Sequence, residues 1–224
     1  RLIMRQLGMF AKYWQAGLVK TRLAADIGAP AAARIHQECV AALVARLGGM
    51  ADRRVLCITP PEQAPAFHAI AGERWQVSGQ CAGDLGQRMR HFFEQALAAG
   101  ADRVVLIGAD SPTLPAVYLD EAFQRLADFP VVLGPSDDGG YYLIGLSRAP
   151  PDIFQNIAWG TPAVWRQTVA RLRTAGERYH ALPPWYDIDT IDDLSRLRSE
   201  LSGPLADDAL LRPLQETIET LFTG

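Results

Sequence analysis

Short apolar runs alternate along this chain with longer segments in which apolar residues recur every three to four positions. The short runs predict strands at 5–11, 53–59, 74–78, 103–108, 130–134 and 141–146. The longer segments predict helices around 35–47, 85–97, 115–127, 161–175, 190–201 and 207–222. Strands that are apolar on both faces and alternate with amphipathic helices form a mostly parallel sheet covered on both sides. We therefore predict a three-layer α/β/α fold.

This pattern continues over the chain without an internal repeat, a low-complexity segment or a linker long enough to separate domains. With 224 residues, of which 49% are hydrophobic, the chain can bury a sizeable core. We therefore predict a single domain over 1–224. The helices at 190–222 either pack on this domain or form an interface, such as that of a homodimer.

Charge and cysteine content argue against several classes of protein. A net charge of -3, from 22 basic and 25 acidic residues, provides no electrostatic footprint for nucleic acid or an anionic membrane. The three cysteines are far apart and lack the spacing of a disulfide framework or a zinc site. No apolar run reaches the ~20 residues of a membrane span, and no signal-peptide pattern opens the sequence. A cytoplasmic protein is expected, although the first residue is Arg1 and a missing leader stays open.

Polar residues follow the predicted strands, where the ligand crevice of an open parallel sheet lies. After the first strand comes AGLVKTRL, with Gly17, Lys20, Thr21 and Arg22. A lysine and an arginine two residues apart in a glycine-bearing loop could clamp a diphosphate, arginine through its fork of donors and lysine as a point charge. The alternative is an exposed loop before a helix. The spacing does not match a Walker A loop.

Asp110 ends the strand in VVLIGADSPTLP, at 104–115. A carboxylate at the end of an apolar strand loses hydration, which is costly unless a cation or hydrogen bonds replace the water. Magnesium meets this need, because it binds one or two carboxylates and completes its shell with water and phosphate oxygens. The alternative is that Asp110 caps a helix that starts near Pro112 or Pro115. From the metal interpretation we expect Asp110→Asn to leave the fold intact and the metal-free protein slightly more stable.

The segment DIDT, late in the chain, repeats the pattern of an acid in an extended stretch. Asp187 and Asp189 share one face when extended, and Ile188 points the opposite way. Taken alone, Asp189, which Thr190 follows, is better explained as an N-cap of the helix that begins near Ile191. Together with Asp110, it forms a coherent site for one metal ion and one diphosphate, with Lys20 and Arg22 neutralising the remaining charge.

Two glycine-containing loops complete the candidate site. In PSDDGGYYLIGL, Gly139 and Gly140 permit close approach of the backbone to a substrate, and Asp137 or Asp138 would meet an acceptor hydroxyl. A hairpin turn explains the same residues and is compatible with a site. In SGQCAGDLGQRM, the side chain of Gln80 suits the edge of a nucleobase. Gly83 and Gly86 would leave room for a ring or a ribose, although a helix start at Asp84 explains part of this segment equally well.

The aromatic and imidazole side chains give weaker signals. Trp159, in the loop IAWGTP, lines an acceptor pocket or packs in the core. The histidines share no ligand spacing with one another or with the acids, and we interpret them as structural or exposed: His36, His68, His91 and His180.

Seven motifs occur in this order along the chain: FAK, GLVKTRLA, GDLGQRM, GADSPTLP, PSDDGGYYLIGL, IAWGTP and YDIDTIDDL. Together they resemble a family of small nucleotide-diphospho-sugar transferases. That family was long known as a domain of unknown function, and its members are often described as glycosyltransferases. The similarity extends from Phe10 to about Leu194. It implies a GT-A fold, a Rossmann-like nucleotide-binding sheet, and similarity to 2-phospholactate guanylyltransferase. One departure is KYWQAG, which stands where a short loop with prolines is expected.

The resemblance also implies roles for particular residues. It places Mg²⁺ or Mn²⁺ at Asp110, with Asp189 as the second ligand. It implies nucleotide contacts from the loop of Lys20 and Arg22 and from Gln80, and it puts the acceptor near Asp138 and the glycines that follow it.

Three functions are compatible with this site. We favour transfer of a sugar from a nucleotide-diphospho-sugar to a small-molecule hydroxyl, because the acids at 137 and 138 suit deprotonation of a neutral hydroxyl, with Asp138 as the base. The alternative is nucleotidyl transfer from a nucleoside triphosphate to a phosphorylated acceptor, for which the basic loop is well suited. The third is a nucleotide-binding regulatory subunit without catalysis.

Overall fold

A computed structural model describes residues 2–223 and contains one seven-stranded sheet and eight α-helices within that range. The strands are β1 Arg5–Lys12, β2 Arg53–Thr59, β3 Gln76–Gly79, β4 Arg103–Ile107, β5 Val131–Pro135, β6 Tyr141–Leu146 and β7 Tyr179–Ala181. The helices are α1 Thr21–Ile27, α2 Ala29–Arg46, α3 Ala64–Ala71, α4 Leu85–Ala98, α5 Ala116–Arg125, α6 Val164–Thr174, α7 Ile191–Leu201 and α8 Arg212–Thr223. No helix in this part of the chain is long and apolar enough to cross a membrane.

The sheet has the strand order β3-β2-β1-β4-β6-β5-β7. Strands β3, β2, β1 and β4 are parallel to one another, β6 is antiparallel to both β4 and β5, and β7 is parallel to β5. This confirms the predicted mostly parallel, mixed sheet. Strand β1 pairs with β2 on one side and β4 on the other, so the carboxyl ends of β1 and β4 lie side by side. In open sheets of this kind, such a switch point is where ligands bind.

The sheet separates two apolar cores, because side chains alternate between its faces. On one face, Leu7, Met9 and Ile58 pack against α2, α3 and α5. On the other, Val104 and Leu106 pack with residues of α4 and α6. Helices therefore cover both sides of the sheet, as the three-layer prediction requires.

A third apolar cluster joins the C-terminal helices to the start of the chain. It contains Leu23 of α1, Ile35 of α2, Leu197 of α7 and Ile218 of α8, each at 0% exposure. The helices predicted at 190–222 thus pack on the helices that follow β1. This packing supports our proposal of a single domain.

Some elements differ from the prediction for local reasons. The last helix begins at Arg212 and not at 207, because the turn before it uses the Asp208 carboxylate to accept the amide of Leu210 at 3.0 Å. Strand β7 and helices α1 and α3 were not predicted. They are short, and α1 buries one residue, Leu23, so no apolar period is visible.

Candidate active site

The loop after β1 ends in a buried lysine, Lys20. Lys20 adopts the left-handed conformation (φ 49°, ψ 43°) directly before α1, a conformation that is uncommon outside glycine and often found at functional sites. Its side chain is 2% exposed, and its ammonium donates to Asp110 Oδ1 and, at 3.2 Å, to Asp189 Oδ1. Two carboxylates separated by 79 positions in the sequence therefore converge on one nitrogen atom.

Pairing between two extended segments brings these acids together. The amide of Ile188 donates to the carbonyl of Asp110 at 2.9 Å, and the Ser111 hydroxyl donates to the Asp187 carboxylate at 2.6 Å. Ile188 is fully buried in the third apolar cluster, so the residues on either side of it project away from that cluster. The alternation of DIDT thus positions Asp187 and Asp189 beside the end of β4.

The capping alternatives for both acids are wrong. Helix α5 begins at Ala116 with Pro115 as its N-cap, six positions after Asp110. Helix α7 has Thr190 as its N-cap, and the Thr190 side chain forms a capping box with Asp193. Neither Asp110 nor Asp189 is therefore needed to cap these helices.

Lys20, Arg22, Asp110 and Asp189 form a charged cluster in which the positive and negative charges balance. Burial would lower the pKa of Lys20, but Asp110 and Asp189 outweigh it and raise that pKa well above its usual range. Desolvation would raise the pKa of Asp110, but the Lys20 ammonium holds it below its usual value. Arg22, whose side chain is 64% exposed, donates to Asp189 Oδ2 at 2.6 Å. Two cationic side chains thus neutralise two carboxylates.

His36 lies beside this cluster, although we did not include it among the predicted site residues. It is 4% exposed on α2, its Nε2 lies 2.9 Å from the Lys12 carbonyl, and its Nδ1 lies 3.8 Å from Asp110 Oδ1. Because a carbonyl only accepts, Nε2 donates, and Nδ1 is a buried acceptor without a hydrogen-bond partner among residues 2–223. Burial lowers the pKa of His36. Its place between the buried residues Ile35 and Cys39 was the one available signal.

Asp187 is a second neighbour that was not included among the predicted site residues. Desolvation and the nearby Asp110 raise the pKa of Asp187 to about 7, while the hydrogen bond from Ser111 opposes this. Asp138 adds to the same effect, so its carboxylate lies close enough to influence this group. The negative charge of the acid-rich loop before β6 therefore acts on Asp187.

The donor set suits a divalent cation that arrives with further ligands. Two carboxylates converge, and the unpartnered His36 Nδ1 faces the same point, where the cation's water could donate to it. Within residues 2–223, no group of three or more His, Cys, Asp or Glu could hold a metal ion by itself. Magnesium commonly binds one or two carboxylates and completes its shell with water and phosphate oxygens. The residues fit such an ion if Lys20 moves aside.

The bulky sequence KYWQAG is accommodated by α3. The rings of Tyr13 and Trp14 contact each other in a tilted arrangement, 5.0 Å between centroids, and pack on Phe67 of α3. In the same loop Gly17 has φ +82° and no atom within 4 Å of where a Cβ would stand. Thr21 is exposed at the first position of α1. The aromatic pair therefore anchors the loop whose end carries Lys20.

The loop after β3 is held mainly by contacts within the protein. Gln80 Nε2 donates to the Cys57 carbonyl at 2.9 Å, and Asp84 caps α4 in a capping box with Gln87. A Cβ on Gly83 would meet Gln87 Oε1 at 2.4 Å, and one on Gly86 would meet the Phe154 carbonyl at 2.4 Å. Protein atoms fill the space beside both glycines, and nucleotide binding by Gln80, Gly83 and Gly86 stays a prediction.

A groove of about 220 Å³ borders this loop, lined by Gln80, Cys81 and Arg88 at one end and by Gln6 and Arg53 at the start of the strands. The groove runs along the sheet away from the acids, and Lys20, Asp110 and Asp189 do not line it. The charged residues therefore lie outside the groove.

The segment for which we predicted acceptor contacts at Asp137 to Gly140 forms a turn between β5 and β6. The Asp138 carboxylate accepts from the Ser136 hydroxyl and, at 3.0 Å, from the amide of Gly140, which orients it at an exposed position. Gly139 has φ +90° and packs against Pro162. Asp137 lies 3.5 Å from Arg196 of α7. Trp159 packs edge-on against Tyr141 beside the second core, as the core alternative predicted.

Comparisons with known proteins agree with this fold. The profile of the family "Uncharacterized protein conserved in bacteria (DUF2064)" matches residues 42–161. A "putative nucleotide-diphospho-sugar transferase" from Desulfovibrio desulfuricans G20 is 33% identical over 98% of this chain and 99% of that chain, with a TM-score of 0.87. No curated protein matches the chain.

Two more distant structures share the fold alone. A CMP:2-keto-3-deoxy-manno-octonic acid synthetase complexed with CTP is 15% identical, with a TM-score of 0.55 and coverage of 90% of this chain and 99% of that chain. Rv0371c from Mycobacterium tuberculosis H37Rv, in complex with manganese, is 22% identical, with a TM-score of 0.50 and coverage of 88% and 98%. Since the family profile spans more than half of the chain and the Desulfovibrio relative matches nearly all of it, the chain belongs to the DUF2064 family.

Proposed function

We propose that this protein is a metal-dependent glycosyltransferase that uses a nucleotide-diphospho-sugar donor and a small-molecule hydroxyl acceptor. The observation that carries the proposal is the convergence of Lys20, Arg22, Asp110 and Asp189 where β1 and β4 end. The description of the Desulfovibrio relative, at 33% identity, supports the same class of reaction.

The cluster would hold the diphosphate of the donor. Lys20 keeps its charge, because its pKa is raised, and Arg22 presents an exposed fork of donors to phosphate oxygens. A divalent cation, Mg²⁺ or Mn²⁺, held by Asp110 and Asp189 would neutralise charge on the departing diphosphate. The nucleoside would lie toward Gln80, at the near end of the groove.

Asp138 is the proposed general base. Its carboxylate is exposed and is oriented by the Ser136 hydroxyl and the Gly140 amide. The acceptor oxygen forms a bond to the anomeric carbon of the donor, and its proton passes to Asp138. The bond from that carbon to the diphosphate oxygen breaks, and the nucleoside diphosphate leaves with the negative charge, which Lys20 and Arg22 stabilise.

A second candidate is nucleotidyl transfer. The pairing of a buried ammonium and an exposed guanidinium at the end of β1 suits a triphosphate as well as a diphosphate. A phosphate oxygen of the acceptor would form a bond to the α-phosphorus, and pyrophosphate would leave. This reaction needs no base at Asp138, since a phosphate nucleophile is already ionised.

One assay separates these functions. The protein is incubated with Mg²⁺, hydroxyl and phosphate acceptors, and panels of nucleotide-sugars and nucleoside triphosphates, and nucleoside diphosphate and pyrophosphate are measured separately. We expect nucleoside diphosphate release that Asp110→Asn abolishes. Asp120→Asn, an exposed position on α5, should keep full activity. Pyrophosphate release would assign nucleotidyl transfer, and tight nucleotide binding without product would assign the regulatory subunit.

A further inference from the structure

We infer that this site takes its divalent cation together with the donor diphosphate and excludes the free ion, with the Lys20 ammonium holding the metal position until the diphosphate arrives. The inference rests on the metal role in the proposed function, and it concerns the order and linkage of binding. It follows from what Lys20 and Arg22 contact in this structure.

The carboxylate oxygens are already engaged. Lys20 binds Oδ1 of Asp110 and Oδ1 of Asp189, and Arg22 binds Oδ2 of Asp189 at 2.6 Å. Three of the four oxygens of these two carboxylates therefore contact a cationic side chain. A metal ion bridging both acids must displace the Lys20 ammonium from the point that the acids share.

Displacement by a free ion is unfavourable because of where Lys20 lies. The Lys20 side chain is 2% exposed, so an ammonium that loses both carboxylates would stay buried without its two nearest counter-charges. Leaving a buried charge with fewer partners is destabilising in proteins. The charges of the two acids and of Lys20 and Arg22 also sum to zero, so these four side chains together offer a free cation no net attraction.

A diphosphate changes this balance. Its oxygens supply new partners for Lys20 and Arg22, and the carboxylates are then available to the metal ion that the diphosphate carries. Every charge stays paired through the exchange. His36 Nδ1, a buried acceptor without a partner 3.8 Å from Asp110 Oδ1, offers a hydrogen-bond acceptor to the ammonium or to a water as they rearrange.

The test measures metal binding without turnover. Mn²⁺ binding is followed by equilibrium dialysis and by thermal shift, with inorganic pyrophosphate as a diphosphate that carries no base. For the natural protein we expect weak binding of Mn²⁺ alone and at least roughly tenfold more bound metal when pyrophosphate is present. Equal binding with and without pyrophosphate would overturn the inference.

Lys20→Met provides the decisive variant. Without the ammonium, Mn²⁺ alone should bind roughly tenfold more tightly than to the natural protein and should give a larger thermal shift, and pyrophosphate should add little. Arg173→Met is the matched control, because it removes one positive charge from an exposed position near the end of α6. It should bind Mn²⁺ like the natural protein.

The outcomes distinguish this inference from the proposed function. If Lys20→Met gains no affinity for Mn²⁺, or if Arg173→Met gains as much, the inference is wrong even where the transferase assay gives product. If the Mn²⁺ pattern holds but no donor is consumed, the linkage stands and glycosyl transfer fails. If Lys20→Met does not fold, the inference is still tested on the natural protein, by comparing Mn²⁺ binding with and without pyrophosphate.

Discussion

At the scale of single residues, the contact with Lys20 determines how Asp110 affects stability. From the sequence, a bare carboxylate at a strand end implied strain that Asp110→Asn would relieve. The structure places the buried Lys20 ammonium against it, and each group shifts the pKa of the other toward its charged form. The carboxylate therefore stabilises the metal-free protein, and its loss leaves a buried charge less well compensated.

We accordingly predict that Asp110→Asn destabilises the metal-free protein, which corrects the expectation from the sequence. The Asp110 side chain is 45% exposed, so the cost should be roughly 1–2 kcal/mol, below that of a fully buried pair. Chemical denaturation in EDTA measures it, with Asp120→Asn as the control at an exposed site. A variant as stable as the natural protein, or more so, would mean that the Lys20 contact contributes nothing.

Asp187 predicts a pH-dependent effect. Its pKa is raised to about 7 from an ordinary 3.8, so ionising it in the folded protein carries a penalty. The penalty is absent below the unfolded pKa, grows as the pH rises toward 7 and is constant above that. Asp187→Asn removes the penalty and can still accept from Ser111. The variant should therefore gain stability at about pH 8 and none near pH 4, measured by denaturation in EDTA.

A gain of the same size at both pH values would show that the substitution acts through packing and not through ionisation. Asp120→Asn, carried through the same series, should differ little from the natural protein at either pH.

At the scale of elements, α4 is held by the loop that follows β6. The buried Gly86 of α4 lies against the Phe154 carbonyl and the ring of Trp159. We predict that Gly86→Ala costs roughly 1–3 kcal/mol, because the new methyl group would stand 2.4 Å from a backbone oxygen and the loop must shift. Thermal unfolding measures the cost, and tryptophan fluorescence reports the displaced ring. Gly49→Ala, with no atom within 4 Å, is the control and should change little.

The elements also define what the sequence could reveal. Apolar runs located six strands. Five of them carry a buried pattern of their own, and the run that located β3 contains the buried Trp75 just before it, whereas the three residues of β7 carry too little pattern. Asp110 was singled out at the end of an apolar strand and Asp189 in the extended segment DIDT, because burial of a carboxylate is costly wherever it occurs. Placing His36 beside them depends on how α2 is rotated against the sheet, which no local pattern encodes. The direction of β6 likewise follows from chain connection and not from composition.

At the scale of the whole molecule, the C-terminal helices support the segments that carry the site. Helix α8 packs on α2, which holds His36, and α7 shares the third apolar cluster with α1, which follows Lys20. Ile218 of α8 is at 0% exposure in that cluster. If the chain is one domain, a substitution that destabilises the packing of Ile218 should destabilise the sheet as well.

We therefore predict that Ile218→Ala lowers the free energy of unfolding by roughly 2–4 kcal/mol, as buried aliphatic truncations do, while unfolding stays a single transition. Circular dichroism and tryptophan fluorescence, recorded during urea denaturation, should give coincident curves with an unchanged slope and a lower midpoint. Glu216→Ala, at an exposed position of α8, should leave the midpoint nearly unchanged. Two separated transitions in the Ile218→Ala variant would mean that the C-terminal helices unfold as a unit of their own. The single-domain proposal would then fail. The packing that positions Lys20 and His36 would in that case depend on contacts among residues that precede α7 in the sequence.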